Sequence, residues 1–384
     1  MSSRPRILMD CTAIPANHGG VARYIHGVLS GLDTDEVELH VVAQARDRAA
    51  ILASAPTATV HTISRGFQSR PLRLVWEQTE LPRLARRLGA DIVHSPHYTF
   101  PVLWRGRHVI TLHDATFFSH PELHSRLKRF FFRSWIRRAW SSSDSIVVPS
   151  GATASELQRL LGTPGPDVSV AHLGVDLKRF TVPSDERLAA FREAHGLGPD
   201  DTWFAFLGTI EPRKNVGSLL DAYISMKTKA GDAPFPRLFI AGARGWDDAV
   251  LARLDLLSPD SGVEMLGYVD ADELSPLLGG AEAVIYPSLG EGFGLPVVEA
   301  MACGGAVITT PHLAIPEVGG DAVIYTEADA LEIAAAMRFV LDNPGIVAEL
   351  RERAITRARE FSWQATARTH VNAFLALAQK HSDA

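Results

Sequence analysis

The stretch AVIYPSLGEGFGLPVVEAMACGGAVITT (283–310) reads as strand, loop, helix and strand, and its reading decides the fold. AVIYPS (283–288) is apolar almost throughout, as expected of a parallel strand covered on both faces by helices. The loop Gly290-Glu291-Gly292-Phe293-Gly294 is spaced by glycines, and Pro296 opens the helix, where its missing N–H is not needed. Glycines let backbone N–H groups approach a ligand, and a helix start carries partial positive charge, so the pair makes an anion site suited to a diphosphate. Glu291 and Glu299 stand eight residues apart. With a diphosphate on the helix start, one carboxylate would accept the hydroxyls of a sugar and the other those of a ribose. The plainer alternative is an ordinary strand–helix turn with Glu299 a partly buried helix residue.

The same alternation runs through the chain. TWFAFLG (202–208), RLFIAG (237–242), VEMLGYV (263–269) and AVITT (306–310) complete the strands of the second half. In the first half RILMD (6–10), ELHVVAQ (38–44), DIVHS (91–95), HVITLHD (108–114), SIVVPS (145–150) and SVAHLGVD (169–176) read as strands. Helical spacing lies between them at Val21–Leu32, Leu74–Leu88, Arg126–Ala139 and Ala152–Leu161. Two blocks of βα units predict an α/β chain of two Rossmann-like, doubly wound domains, residues 1–175 and 176–362, facing across a cleft. A last helix, 363–384, is expected to pack back towards the first domain. At 384 residues, with 46% hydrophobic and 21% charged side chains, the chain has enough apolar material for two cores. Cys11 and Cys303 form no C-x-x-C pair, which favours a reducing, cytoplasmic setting. No run of 18 uncharged apolar residues spans a membrane. The net charge of −6 is split: residues 1–175 hold 20 Lys+Arg against 14 Asp+Glu, and residues 176–384 hold 18 against 30. A basic half suits phosphates or an anionic membrane, although uneven solvated surfaces explain it equally well.

Other residues add to the site. In LGTIEPRKNVGSLLDAY (207–223), Arg213 and Lys214 fall in the turn before a helix that Asn215 would cap. Two adjacent cations there would neutralise a diphosphate, Arg bidentately and Lys as a point charge. HGGVARYIHGVL (18–29) places Gly19 and Gly20 ahead of a helix without the full G-x-G-x-x-G pattern. His113, with Asp114 at the end of a strand, would donate to a sugar hydroxyl or to a carbonyl, or be merely structural. Asp270-Ala271-Asp272 has a metal-binding D-x-D form, but Asp270 as N-cap with Glu273 at N3 explains it more simply. HDATFFSHPELH (113–124) fits no tetrahedral zinc spacing. PELHSRLKRFFFRSWIRRAW (121–140) holds six Arg/Lys, one Glu and five aromatics. As a helix it would lie on an anionic membrane, unless its aromatics pack on the sheet and its arginines stay solvated.

EGFGLPVVEA (291–300), with its E-x7-E arrangement, resembles the signature of retaining GT-B glycosyltransferases of family 4. The likeness extends to the early Gly-Gly loop, HD at 113–114, HLGVD at 172–176, EPRKN at 211–215, GYV at 267–269 and FSW at 361–363. GTIEPRKN looks most like bacterial mannosyltransferases that build lipid-linked glycans and surface polysaccharides. The resemblance implies that Arg213 and Lys214 hold the donor pyrophosphate, while Glu291, with backbone groups of Phe293 and Gly294, holds the donor sugar. It further implies that Leu295 N–H meets phosphate, that Glu299 binds ribose, and that backbone near Tyr268 and Val269 meets the base. His113 would sit by the sugar, and Gly19 and Gly20 would approach the diphosphate. Many members carry arginine directly after the strand glycine; here Thr209 takes that donor-side place, and Arg213 is expected to compensate. The implied reaction is metal-independent, needs no cofactor, and moves a hexose, mannose from GDP-mannose, onto a glycan or lipid-linked acceptor. The expected setting is cytoplasmic, with peripheral contact at the inner face of the membrane, and no nucleic acid is expected as a partner. A nucleotide-sugar hydrolase or epimerase of the same fold, and a catalytically silent glycan-binding subunit, are the alternatives.

Overall fold

The computed structural model describes residues 4–15, 19–32, 35–67, 69–162 and 165–380. The chain divides into two compact units: Met1–Gly174 together with Ser362–Ala384, and Val175–Phe361. His18, the first residue of the Gly-Gly motif quoted above, lies outside the described residues.

The first unit is built on β1 (Arg6–Asp10), β2 (Glu38–Gln44), β3 (Thr59–Ile63), β4 (Ile92–Ser95), β5 (Arg107–Thr111), β6 (Ser145–Val148) and β7 (Asp167–Val170). They form one sheet in the order β3-β2-β1-β4-β5-β6-β7, every pairing parallel. Helices α1 (Gly20–Gly31) and α2 (Arg48–Ser54) link β1 to β2 and β2 to β3, and α3 (Arg70–Leu88) crosses back to β4. The segments α4 (Thr116–Ser119) and α5 (Arg126–Ser142) lie between β5 and β6, and α6 (Gly151–Leu161) between β6 and β7. Because the strand order reverses between β1 and β4, the loops after those strands flank a switch point, where ligands of open α/β sheets bind. β1, β2 and β4 are buried nearly end to end, so their side chains read as apolar runs without alternation.

Three details differ from the sequence reading. TVHTI (59–63) is an edge strand whose polar residues, without regular alternation, hid it. The strand expected over 169–176 stops at Val170, because the chain turns away to meet the last helix. At Gly174 a Cβ would stand 2.2 Å from Trp363 N. β5 ends at Thr111, so His113 and Asp114 belong to the loop beyond it.

The second unit has β8 (Trp203–Leu207), β9 (Arg237–Ala241), β10 (Val263–Gly267), β11 (Val284–Tyr286), β12 (Val307–Thr309) and β13 (Ile324–Tyr325). Their order is β10-β9-β8-β11-β12-β13, again parallel throughout. The helices are α7 (Asp185–Ala194), α8 (Val216–Ala230), α9 (Asp248–Asp255), α10 (Ala271–Gly279), α11 (Leu295–Ala302), α12 (Ile315–Gly319), α13 (Ala330–Asp342) and α14 (Pro344–Ala358). Here the order reverses between β8 and β11, which makes their ends the switch point of this sheet. The final helix, α15 (Trp363–Gln379), returns to the first unit and packs along α1. Two glycines of α1 make that contact feasible. A Cβ on Gly27 would fall 2.1 Å from the Trp363 ring, and one on Gly31 would fall 2.4 Å from Trp363 O.

Candidate active site

β8 and β11 are neighbours, with Val284 opposite Ala205. Their carboxyl ends therefore deliver two loops side by side, 208–215 and 287–294. The loops are stitched together: Leu289 N–H donates to Arg213 O at 2.8 Å, and Ser288 Oγ lies 3.1 Å from the same carbonyl. Asn215 closes the first loop at φ +55°, a left-handed conformation that asparagine tolerates. It holds the N-cap position of α8 but makes no side-chain cap; its Oδ1 accepts from Ser218 Oγ at 2.8 Å instead.

Four charges meet on this frame. The buried Glu291 accepts at Oε1 from Lys214 Nζ at 2.6 Å, Tyr286 OH at 2.8 Å and Ser288 Oγ at 2.7 Å. Its Oε2 lies 2.5 Å from Arg213 Nη1. Arg213 also donates to Gly290 O at 2.8 Å and to Glu211 Oε1 at 2.6 Å. Lys214 Nζ contacts the Tyr286 hydroxyl as well. Burial pushes the Glu291 carboxyl up, but the charges of Arg213 and Lys214, with hydrogen bonds from Lys214 and Ser288, outweigh it. The group is held well below the usual carboxylate range. Burial, and then Arg213, push the Lys214 ammonium down against the support of Glu291 and Glu211. Burial, and then the Glu291 carboxylate, drive the Tyr286 phenol far up. Two cations side by side in a dry place repel, and the carboxylate between them offsets that cost.

The glycine loop continues into α11. Gly294 sits at φ +105°, a backbone conformation that calls for glycine, and a Cβ there would also push on the Ile315 side chain, 2.6 Å away at Cδ1. Leu295 is the first residue of α11 and Pro296 the second. Glu299 is buried in the same helix, and the buried Phe293 meets Phe361 edge to face at 5.6 Å. On the other side of β8, the loop after β9 presses on 208–210. A Cβ on Gly242 would stand 2.2 Å from Gly208 O, and one on Gly245 2.0 Å from Ile210 O and 2.8 Å from Thr209 Cγ2. Thr209 is thus covered on this side by the loop after β9. Tyr268, 71% exposed, follows β10, two strands from β8, and Val269 beside it is buried. Asp270 caps α10 by position without a side-chain bond, while Glu273 N–H donates to Asp270 O at 3.1 Å. Of the residues singled out in this unit, the structure brings Arg213, Lys214 and Glu291 into contact. Thr209, Gly294 and Leu295 lie on the same loops, Glu299 lies along the helix, and Tyr268 and Val269 stand further along the sheet edge. Sequence reasoning missed Glu211, Tyr286 and Ser288. All three lie inside the quoted motifs, and their polarity beside the charged positions was the available signal.

In the first unit, Gly19 has an ordinary φ of −65° at the N-cap of α1, and a Cβ on Gly20 would meet nothing within 4 Å. The backbone does not demand glycine at Gly19, nor the packing at Gly20. His113 Nε2 lies 3.0 Å from Pro96 O. A carbonyl only accepts, so Nε2 carries the proton and the neutral ring offers Nδ1 as an acceptor. Burial lowers the His113 pKa and favours that neutral form. Of the two partners read from the sequence, a carbonyl takes the His113 proton, so a sugar hydroxyl would have to donate to Nδ1. Asp114 turns inward to accept from Thr116 N at 3.0 Å and Thr116 Oγ1 at 2.8 Å. Asp10, Glu77 and His97 gather near the ends of β1 and β4, close enough together to hold a metal ion. Arg73 Nη1 stands among them, 2.7 Å from Glu77 Oε2 and 3.4 Å from His97 Nε2, and meets their negative charge with a guanidinium.

Comparison with known proteins converges on one family. A family model described as Glycosyl transferases group 1 matches residues 189–361, and one described as Glycosyltransferase Family 4 matches residues 18–179. The chain is 30% identical over 287 residues to the O-antigen chain mannosyltransferase B of Escherichia coli, a match spanning 74% of each chain. It is 32% identical over 242 residues to a D-inositol 3-phosphate glycosyltransferase of Catenulispora acidiphila, covering 59% of this chain and about half (54%) of that relative's length. Among solved structures, Anabaena Alr3699/HepE, crystallised with UDP and glucose, superposes with a TM-score of 0.75 at 18% identity over 97% of this chain and 100% of its own. WaaG, a glycosyltransferase involved in lipopolysaccharide biosynthesis, does so at 0.74 and 15% identity over 96% of this chain and 99% of its own. Two all-parallel Rossmann-like sheets and a mannosyltransferase relative aligned along three-quarters of both chains make this protein a glycosyltransferase of family 4, with the GT-B fold.

Proposed function

We propose that this glycosyltransferase is a retaining, metal-independent enzyme that moves mannose from GDP-mannose onto a glycan or lipid-linked acceptor of a cell-surface polysaccharide or glycolipid. The observation that carries the reading is the ring of Arg213, Lys214 and Glu291 at the adjoining ends of β8 and β11, directly before the helix start at Leu295. A nucleoside diphosphate leaving group carries its growing charge on phosphate oxygens. Two cations and a helix N-terminus meet that charge without a metal ion or other cofactor. Glu291 then accepts from the hydroxyls of the transferred sugar, Glu299 from the ribose, and Tyr268 and Val269 border the base. Phe293, Gly294 and Leu295 offer backbone N–H groups, and Thr209 occupies the donor side of the β8 loop. His113 takes a sugar hydroxyl at Nδ1. Gly19 and Gly20 offer their backbone to the diphosphate, and at Gly20 the packing of the chain itself gives no reason for glycine. In the retaining reaction the acceptor attacks on the face the nucleotide leaves, and the departing phosphate takes the acceptor proton. The protein orients and stabilises, and no side-chain nucleophile is used.

Mannose is favoured by the mannosyltransferase relatives; inositol phosphate glycosyltransferases and a UDP complex also appear among the similar proteins. The acceptor reading includes a membrane surface. On α5, Trp140 and Ile136 are buried in the core, and Arg133 and Arg137 lie over Phe118. Phe130 and Leu127 remain 75% and 79% exposed beside Arg126 and Lys128. An apolar pair beside cations suits the surface of anionic lipid, which supports the reading of an enzyme working at the cytoplasmic face of a membrane. Among the described residues no helix is long and apolar enough to cross one. The test is transfer and hydrolysis across a panel of GDP-, UDP- and dTDP-sugars, with the anomeric configuration of the product read by NMR. Lys214→Ala and Glu291→Ala should each lower turnover about 100-fold while the fold is kept, a loss of roughly 3 kcal/mol, the first of charge stabilisation and the second of the sugar's acceptor and of the aim of the two cations. Near-normal turnover in either, or an inverted product, would refute the reading. An absence of thermal stabilisation by any of the three nucleotides would favour a silent glycan-binding subunit instead.

A further inference from the structure

A hydrogen-bond chain runs through the core of the first unit, and one carbonyl sets its direction. His370 is fully buried in α15, with Nδ1 2.7 Å from Thr366 O. The carbonyl accepts, so Nδ1 carries the proton and Nε2 is left as the acceptor. Nε2 lies 2.7 Å from the Tyr24 hydroxyl, which must then donate to it. With its proton given to His370, that oxygen accepts from Thr111 Oγ1 at 2.7 Å. Thr111 in turn accepts from His94 Nε2 at 3.0 Å. Four elements, α15, α1, β5 and β4, are tied by bonds of fixed polarity. Burial holds the His370 pKa at about 4, which keeps this neutral arrangement intact near pH 7.

The ring at the centre of the chain has a second neighbour. Tyr24 meets His113 edge to face, with ring centroids 4.8 Å apart and planes at 85°. Thr111 lies two residues before His113, so the bond from Thr111 anchors the strand end from which His113 departs. Nε2 of His113 is already committed to Pro96 O. The tilt of the ring about that bond, and with it the aim of Nδ1, is therefore limited by the ring of Tyr24.

We infer that Tyr24 is a positioning residue for His113, and that His370, on the returning helix, fixes Tyr24 through its hydroxyl. The inference rests on the reading of His113 as a ligand of the donor sugar. A displaced catalytic partner loses rate far out of proportion to the movement. A double-mutant cycle on the full-length enzyme tests the inference, with kcat and donor KM measured for His113→Ala, Tyr24→Leu, Tyr24→Phe, His370→Ala and the pair Tyr24→Leu/His113→Ala. His113→Ala alone decides the underlying reading: unchanged kcat would remove it, and this inference with it. If that reading holds, Tyr24→Leu should lower kcat about tenfold while donor KM moves less than about twofold, and Tyr24→Phe, which keeps the ring, should recover all but about threefold. Tyr24→Leu should then cost nothing further in the His113→Ala background. Losses that multiply in the double variant would mean that Tyr24 acts on the fold alone, and would overturn the inference. If Tyr24→Leu does not fold, Tyr24→Phe and His370→Ala carry the test. Both should lower kcat with donor KM held, and neither should lower it once His113 is alanine; a further loss there overturns the inference equally.

Discussion

Glu291→Gln perturbs the charge ring with the least change of shape. The amide keeps one acceptor oxygen and puts an NH2 where the second carboxylate oxygen stood. With the oxygen turned to Lys214, Tyr286 and Ser288, the NH2 faces Arg213 Nη1 across what is now a 2.5 Å contact, donor against donor. With the amide turned the other way, three donors face an NH2. The first arrangement loses less, and it still removes the charge that Arg213 and Lys214 share. Neutralising one partner of a buried ion pair costs about 3–5 kcal/mol. Arg213 retains Glu211 and Gly290 O, which places the expected loss near the lower end, at about 3 kcal/mol.

The pH dependence carries its own sign. Glu291 in the folded protein is held below its usual pKa, so its contribution is present above the unfolded value of about 4.3 and is lost as pH falls through and below it. The gap between wild type and variant should therefore be full at pH 7 and should shrink as pH falls from about 5 to about 3. Urea unfolding followed by hydrogen exchange in peptides covering α8 and α11 reads the second unit by itself. A variant within about 0.5 kcal/mol of wild type at pH 7, or a gap that stays constant down the pH series, would show that the ring does not hold the loops together.

Gly27→Ala should destabilise the first unit by about 2 kcal/mol, since a Cβ there would lie 2.1 Å from the Trp363 ring and α15 would have to lift; faster exchange of α15 amides is the check. Leu313 adopts φ +52°, a conformation that costs a branched residue about 1 kcal/mol. Leu313→Gly should accordingly raise the urea midpoint of the second unit, despite the added freedom of the unfolded chain, and a fall would mean that the leucine side chain repays its strain in packing. Burial lowers His370 from 6.5 to about 4, worth about 3 kcal/mol at 1.36 kcal/mol per pH unit. That stability is present above pH 6.5 and lost as pH falls towards 4, so His370→Gln should flatten the first unit's stability profile across that window.

How far the chain could be read from its residues follows from what burial does to patterns. WFAFL (203–207) is buried throughout, and a strand covered on both faces has no reason to alternate, so it was visible as an apolar run. TVHTI (59–63) stands at the sheet edge and is mostly polar without regular alternation, and Ile324–Tyr325 is only two residues long; neither stands out from a turn. At the site, residue types were legible and partnerships were not. Arg213, Lys214 and Glu291 stood out because charge beside a glycine loop is costly without a use. That Glu291 Oε1 gathers three donors while Oε2 takes a fourth depends on the adjacency of β8 and β11, which no spacing along the chain encodes. The chain from His370 to His94 was still less visible. Its members come from four elements, and each alone is an unremarkable polar residue within an apolar stretch.

The ring explains why a carboxylate stands where a phosphate is proposed to bind. Arg213 and Lys214 are neighbours in sequence, held on one short turn, and both are largely buried. Without an anion between them their repulsion would favour an open loop, or a deprotonated Lys214, and either outcome weakens a phosphate site. Glu291 keeps both cations charged and aimed at one point. It is also the group that the proposed reading gives to the donor sugar. A diphosphate arriving at the helix start would compete with Glu291 for the two cations, and every contact it gained there would free a carboxylate oxygen for a sugar hydroxyl. Stability and turnover are thus coupled through one side chain, so a drop in activity on mutating Glu291 has meaning only beside the stability of the same variant. Lys214→Ala, which leaves Glu291 paired with Arg213, is the cleaner probe of the chemistry.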